Sequence, residues 1–149
     1  MATRTSSGEI TLQVRRTVGA TRERVFRAWT NPEEFKKWWG PPGFSTPSAD
    51  IDLRAGGRYR IAMKSPEGEV LHLSGTYREV RPPDKLVYTW NWEGTRGERM
   101  GETLVTVEFL DRGRSTEIVV THEGFPNDER RDAHQHGWLG CLDRLVDAL

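Results

Sequence analysis

The strongest constraint on the fold is a series of six strand-length segments between residues 51 and 122, in which apolar and polar side chains alternate. A period of two is typical of a strand that buries one face. Short turns separate several of these segments, as at residues 65–68 and 111–114. Strands joined by such turns pair antiparallel with their neighbours. With a further alternating segment over Ile10, Leu12 and Val14, the sequence predicts a seven-stranded antiparallel sheet.

Three helices are indicated by the residues that precede them. Thr21 caps an amphipathic run over residues 22–30, and Asn31 caps a second short helix that begins with Pro32. Asn127 caps a final helix that runs to the end of the sequence, with a broad apolar stripe of His134, Trp138, Cys141, Leu142, Leu145, Val146 and Leu149. So broad a stripe needs a concave partner. We therefore expect a curved sheet to wrap around this helix and the short helices to close one end, with a cavity in the middle.

Length, charge and cysteine content limit the class of protein. The 149 residues predict a single domain over residues 9–149 after a flexible polar tail over residues 1–8. The 22 basic and 22 acidic residues cancel, so no net field favours nucleic acid or an anionic membrane. The single cysteine, Cys141, cannot form an intramolecular disulfide, and no apolar run approaches the roughly 20 residues that span a bilayer. A cytoplasmic protein without membrane insertion is the expectation.

A series of short motifs runs along almost the whole chain. In the first half they are Ala20-Thr21-Arg22-Glu23-Arg24-Val25-Phe26-Arg27-Ala28-Trp29, Trp38-Trp39-Gly40-Pro41, Gly56-Gly57-Arg58-Tyr59 and Gly75-Thr76-Tyr77. In the second half they are Pro82-Pro83-Asp84-Lys85-Leu86-Val87-Tyr88-Thr89-Trp90, Val105-Thr106-Val107-Glu108-Phe109, Thr121-His122-Glu123-Gly124-Phe125 and Gly137-Trp138. In this order they resemble the START-like (SRPBCC) superfamily, and within it the bacterial single-domain branch named for the activator of the Hsp90 ATPase.

That resemblance implies an α+β helix-grip fold, as in START domains and birch-pollen allergens. In this fold a curved antiparallel sheet surrounds a long C-terminal helix, and two short helices follow the first strand. The superfamily includes lipid carriers, hormone receptors, polyketide cyclases and co-chaperone domains, so the resemblance specifies a fold and leaves several functions open. The branch name implies a possible chaperone partner and a place in the stress response.

Few residues form a recognisable catalytic or metal-binding pattern. His134 and His136 lie two apart on a helix, so they point roughly 200° apart and cannot chelate one ion. No nucleophile motif or phosphate-binding loop is present, and neither a metal nor a cofactor is predicted. His122 has two interpretations: a strand-end histidine bonded to a backbone carbonyl, or a polar anchor or general base at a pocket mouth. It is the one weak catalytic candidate.

Six tryptophans supply the remaining signal. Trp29, Trp38 and Trp39 fall on the short helices and are predicted to close one end, whereas Trp90 and Trp138 are predicted to face each other across the cavity. Gly137 and Gly140 flank Trp138 within a helix, where each glycine costs about 1 kcal/mol relative to alanine. Either close packing or room for a ligand would explain them. The predicted ligand-binding wall is Met63, Leu73, Tyr77, Trp90, Val107, His122 and Trp138.

Three functions remain open at this point. The first is binding of a small hydrophobic or aromatic ligand between the sheet and the final helix, because several aromatic residues with few polar groups typify such a pocket. The second is a co-chaperone-like domain that acts on a heat-shock ATPase. The third is a cyclase- or hydrolase-type enzyme that uses the same cavity. Either a monomer or a homodimer is compatible with the sequence, since some strand edges are expected to be exposed.

Overall fold

The structure, a computed structural model, describes residues 2–4, 10–94 and 101–149. This part of the chain contains eight strands and three helices. The strands are β1 (Ala2–Arg4), β2 (Ile10–Val18), β3 (Ser45–Ile51), β4 (Arg58–Lys64), β5 (Val70–Arg81), β6 (Lys85–Trp92), β7 (Thr103–Asp111) and β8 (Thr116–Phe125). The helices are α1 (Arg22–Thr30), α2 (Pro32–Phe35) and α3 (Asp128–Ala148).

All eight strands belong to one sheet, in the order β1-β2-β8-β7-β6-β5-β4-β3, and every neighbouring pair is antiparallel. The sheet is curved, and its concave face and α3 share a continuous hydrophobic core. Helix α3 packs against β2 and β8, and α1 packs against β7. The predicted α+β helix-grip fold is therefore confirmed.

A glycine in β5 allows the neighbouring strand to approach closely. A Cβ atom on Gly75 would lie 2.0 Å from the carbonyl oxygen of Thr89 on the neighbouring strand β6. No side chain is tolerated at so close an approach, so the position requires glycine. The register of β5 against β6 shifts a few residues later, between Tyr77 and Glu79. Irregularities of this kind are a common means of curving a sheet.

The helix boundaries follow their capping residues. The Thr21 side chain accepts a hydrogen bond from the backbone N–H of Arg24, and the Asn31 side chain accepts from two N–H groups at the start of α2. Asn127 caps α3 in the same way by accepting from the N–H of Arg130. These caps satisfy backbone donors that would otherwise lack partners, so the predicted starts of all three helices are reproduced.

Three segments differ from the sequence-based expectation. Ala2–Arg4 pairs with β2 as an edge strand, although it was predicted to lie in a flexible tail; residues 1 and 5–8 of that tail lie outside the described residues. Strand β3 begins at Ser45, earlier than expected, because an edge strand exposes polar residues on both faces and shows little alternation. Strand β8 continues past His122 to Phe125, since Gly124 has a φ of 96° and forms a bulge opposite Ile10 and Thr11.

Candidate functional site

A cavity lined mostly by aromatic and other apolar side chains, referred to below as the main cavity, has a volume of about 190 Å³ and lies between α3, the concave face of the sheet and the segment that follows α2. Helix α3 contributes one wall, formed by Arg130, Ala133, His134, Gly137, Trp138 and Cys141. Strands β4 to β6 contribute Met63, Leu71, Trp90 and Trp92. Trp39, Pro41 and Phe44 close the remaining side. Most of this wall is apolar, and Arg130 carries the only formal charge among the described lining residues.

A second cavity of about 20 Å³ lies deeper in the core, which is room for about one water molecule. Trp39 and Trp90 line both cavities, so they separate one from the other. Tyrosines surround the smaller cavity, and burial raises the pKa of Tyr59 well above its usual value. Its neutral hydroxyl donates a hydrogen bond to the carbonyl of Thr89 at 2.5 Å.

The predicted wall residues fall into three groups. Met63, Trp90 and Trp138 line the main cavity. Leu73 and Tyr77 line the smaller one, together with Trp90. Val107 and His122 are fully buried, and neither belongs to the described lining of either cavity.

Three tryptophan rings form the floor of the main cavity. The centroids of Trp39 and Trp90 are 5.8 Å apart, those of Trp39 and Trp138 are 5.3 Å apart, and those of Trp90 and Trp138 are 5.4 Å apart. Trp90 and Trp138 therefore touch each other, whereas the sequence predicted that they face each other across the cavity. Trp39 joins them instead of only closing one end, because the turns after α2 carry it over the concave face of the sheet.

Two histidines accept hydrogen bonds from tryptophans of the wall. Trp138 Nε1 donates to His122 Nδ1 at 3.1 Å, and Trp92 Nε1 donates to His134 Nε2 at 3.0 Å. An imidazole nitrogen that accepts a hydrogen bond carries no proton, so both rings are neutral in this arrangement. The remaining nitrogen of His134 donates to the carbonyl of Arg130 at 2.7 Å.

His122 is the centre of a buried hydrogen-bond chain. Because its Nδ1 accepts, its Nε2 carries the proton and donates to Thr103 Oγ1 at 2.7 Å. Thr103 in turn donates to the carbonyl of Trp90 at 3.3 Å. Burial holds the pKa of His122 well below its usual value, and the nearby His134 adds to this shift. Both ring nitrogens are thus engaged with side chains, which differs from the backbone-carbonyl partner expected from the sequence.

The six indole N–H groups differ in whether they have an acceptor. In addition to the two pairs with histidine, Trp38 donates to the carbonyl of Ala28 at 2.9 Å. In the described part of the chain, the buried Nε1 atoms of Trp39 and Trp90 have no hydrogen-bond acceptor. The two unpartnered donors therefore belong to the two residues that separate the cavities.

The two helical glycines have different structural roles. A Cβ atom on Gly137 would meet no atom within 4 Å, and Gly137 lines the main cavity. A Cβ atom on Gly140 would lie 2.7 Å from Cδ of Pro42. Gly137 thus leaves room in the cavity, and Gly140 allows the segment after α2 to pack closely on α3.

Arg144 fixes the segment that forms one wall of the cavity. Its Nη1 lies within hydrogen-bond distance of the carbonyl oxygens of Trp39, Gly40, Pro41 and Phe44, at 3.1, 2.9, 3.2 and 3.0 Å. The carbonyl of Pro41 also accepts from the N–H of Phe44, and that of Trp39 from the Thr46 hydroxyl, so Arg144 adds one shared donor that ties the four carbonyls to α3. The guanidinium of α3 therefore holds the wall in place.

Cys141 is a buried part of the wall and is not a reactive thiol. Burial raises its pKa to about 12, so it is protonated at neutral pH. In residues 2–4, 10–94 and 101–149 no group of three His, Cys, Asp or Glu side chains is arranged to hold a metal ion. Within the same ranges, no helix has both the length and the hydropathy needed to cross a membrane.

The sequence also matches a known family over most of its length. The family model described as "Activator of Hsp90 ATPase homolog 1-like protein" matches residues 19–149. The chain belongs to this family. The resemblance stated from its motifs is therefore confirmed, and the domain is of the START-like, ligand-binding type. No curated protein sequence matches the chain.

Solved structures agree with membership of the Hsp90-ATPase-activator-like family. A protein from Chromobacterium violaceum is 25% identical, with a TM-score of 0.84 over 92% of this chain and 94% of that chain. A family protein from Silicibacter pomeroyi is 26% identical, with a TM-score of 0.82 over 92% of this chain and 95% of that chain. A protein from Arthrobacter aurescens, at 18% identity and a TM-score of 0.81, covers 99% of this chain and 90% of its own, and shares the fold.

Sequence reasoning missed several residues of the cavity in this family member. Trp39 was assigned only to closing one end, and neither Trp92 nor His134 was among the predicted wall residues, although His134 was placed on the apolar stripe of the final helix. Arg144 was not identified at all, because its carbonyl partners lie 100 or more positions away in sequence. The one available signal was the proline-rich run after Trp39, in which Pro41 and Pro42 have no N–H group to donate.

Proposed function

We propose that this domain binds a small aromatic or otherwise apolar molecule in the main cavity. The observation that carries the proposal is the cavity itself, about 190 Å³ in volume, with a wall of tryptophans and other apolar side chains. An engineered apolar cavity of about 150 Å³ accommodates benzene, so the volume suits a ligand of one or two rings. Arg130 disfavours a cationic ligand, because it is the only formal charge on the described lining.

The helix sequence supports this assignment. Gly137 weakens α3 by about 1 kcal/mol relative to alanine, and its Cβ direction is open space. A core without a ligand would gain both helix propensity and apolar packing from a larger residue at this position. Retaining glycine there is understandable if the space is used.

A titration with indane, a neutral two-ring hydrocarbon, tests the proposal. Tryptophan fluorescence or calorimetry should detect saturable binding to the wild-type domain. Gly137→Val should weaken that binding at least tenfold, because the added methyl groups occupy ligand space. His136→Val places the same side chain on an exposed position of α3 and should bind as wild type does. Absence of binding to the wild-type domain, or equal binding by Gly137→Val, would contradict the proposal.

The other two functions have less support. A general-base role for His122 is disfavoured because both ring nitrogens are hydrogen-bonded and the ring lies outside the described cavity lining. Action on a heat-shock ATPase stays a prediction, supported by the family description alone.

A further inference from the structure

The guanidinium of Arg130 has no partner, although this residue lines the main cavity. In the described part of the chain, neither a hydrogen bond nor an ion pair involves that group, and only the backbone of Arg130 is bonded. The other two arginines of α3 are both engaged. Arg131 forms ion pairs with Asp128 at 3.4 Å and with Asp132 at 2.7 Å, and Arg144 binds the four carbonyls of the wall. The arginine that lines the cavity is therefore the exception on its helix.

The part of the cavity wall around Arg130 is open to solvent. On α3, Trp138 and Cys141 are 2% and 4% exposed, whereas Arg130 is half-buried and Ala133 is exposed. All four residues line the cavity and lie at helical spacing on one face of α3. The cavity therefore extends along the helix, from a closed end near Cys141 to an open end near Arg130.

A ring held in the cavity can bring a substituent to this open end. Gly137, which leaves room in the wall, comes seven residues after Arg130, so the two residues are on the same face and roughly 10 Å apart along the helix axis. An aromatic ring that lies against Gly137 needs only a substituent of a few bonds to approach Arg130, whose long side chain covers part of the separation. The ligand can therefore contact the tryptophans and the guanidinium at the same time.

The chemistry of the wall favours a carboxylate as that substituent. A guanidinium presents N–H donors in a planar arrangement that matches the two oxygens of a carboxylate. No acidic side chain belongs to the described lining, and the acids of the same helical turn, Asp128 and Glu129, are exposed and do not pair with Arg130. His134 is neutral and both its ring nitrogens are hydrogen-bonded, which leaves Arg130 as the group on the wall that can pair with an anion.

We propose that the ligand is an aromatic carboxylate, with its ring against the tryptophans of the main cavity and its carboxylate paired with Arg130. The inference rests on the proposed function and specifies the ligand class of the same cavity. The apolar wall provides affinity for the ring, and Arg130 selects the acid over a neutral molecule of the same shape.

Two probes of nearly identical shape isolate the effect of the charge. Both attach one short substituent to indane: 2-indanylacetate carries a carboxylate, which is ionised at about pH 8, and 2-indanylacetamide carries a neutral amide. The informative quantity is the ratio of the dissociation constant of the amide to that of the acid, because changes in ring packing affect both probes alike. The wild-type domain should bind the acid about tenfold more tightly, the order expected for hydrogen bonds to a charged group.

Substitutions at two adjacent arginines test which charge is responsible. Arg130→Gln should bring the ratio close to one, whereas Arg130→Lys keeps a positive charge and should retain part of the preference. Arg131→Gln is the matched control, because it removes the same charge one residue further along α3, from a residue outside the described cavity lining. It should leave the ratio within about twofold of the wild-type value, since solvent screens charges that do not contact the ligand. An unchanged ratio in Arg130→Gln, a ratio as low in Arg130→Lys as in Arg130→Gln, or an equal fall in Arg131→Gln would overturn the proposal.

A salt titration of the wild-type domain avoids dependence on variants that fold poorly. Raising the salt concentration from about 50 mM to about 500 mM shortens the distance over which charges interact, so it should weaken binding of 2-indanylacetate several-fold and change that of 2-indanylacetamide much less. If indane binds but the acid binds no more tightly than the amide, or both respond alike to salt, this inference fails and the proposed function stands. If indane and both probes all fail to bind, the proposed function itself fails.

Discussion

The two glycines of α3 allow a direct test of how the helix is packed. They lie three residues apart in the interior of one helix, so replacement by alanine should bring each position the same gain in helix propensity, about 1 kcal/mol. At Gly137 the new methyl group meets no atom within 4 Å. At Gly140 it would lie 2.7 Å from Cδ of Pro42, a ring in a segment that Arg144 holds in place.

Only Gly137→Ala is therefore expected to stabilise the domain. Gly137→Ala should raise the free energy of unfolding by up to about 1 kcal/mol, which corresponds to roughly 2–4 °C in Tm for a domain of this size. Gly140→Ala should lose the same gain to overpacking, which typically costs about 1–3 kcal/mol, and should be no more stable than wild type. Urea unfolding of the two variants and the wild type, at one temperature and pH, measures both values.

The outcome that refutes this reasoning is equal stabilisation by both alanines. It would mean that Pro42 moves away from α3 at little cost, and that the segment after α2 is not closely packed. A Gly137→Ala variant that is destabilised would contradict the open space assigned to that position, and with it the role of Gly137 in the cavity.

Three further predictions concern charge and reactivity. Burial lowers the pKa of His122 below 6.5, so below about pH 6.5 the unfolded chain binds more protons than the folded domain. The free energy of unfolding should therefore fall below about pH 6.5, by up to about 1.4 kcal/mol per pH unit. Urea unfolding between pH 8 and pH 5 should show this slope, and His122→Asn should reduce it. Arg144→Met keeps the aliphatic stem but removes the donors to the wall carbonyls, so it should lower the free energy of unfolding by about 2 kcal/mol, as measured by urea unfolding. An unchanged free energy of unfolding would argue against the role of Arg144 in holding this segment. Cys141, with its pKa raised to about 12, should resist iodoacetamide at pH 8 until the domain is unfolded in urea, and rapid alkylation of the native domain would show that the thiol is accessible.

Local signals predicted the fold well. The capping residues Thr21, Asn31 and Asn127 each bind backbone N–H groups a few residues further along the chain, so local sequence identifies where each helix begins. Alternation of apolar and polar residues likewise indicates which face of a strand is buried. The start of the edge strand β3 was not predicted, because its polar residues show no such alternation. Strand alternation in the sheet is also why Met63 and Trp90 could be assigned to the concave face before the structure was known.

The details of the site could not be predicted in the same way. Periodicity gives the face on which Trp90 lies but not its distance to Trp138, so contact could not be distinguished from separation across a cavity. Trp39 follows the turn at residues 36–38 and lies in no helix or strand, so its side-chain direction follows no period. The partners of His122 come from β7 and α3, and their meeting depends on the assembled tertiary structure.

The clamp formed by Arg144 has a consequence for the order of events during synthesis. The carbonyl oxygens that it binds belong to residues 39–44, which leave the ribosome about 100 residues earlier. Until Arg144 has also emerged, one wall of the cavity lacks the group that fixes it, even if the strands have begun to pair. A nascent chain stalled before residue 144 should therefore fail to retain a ligand that the released protein holds.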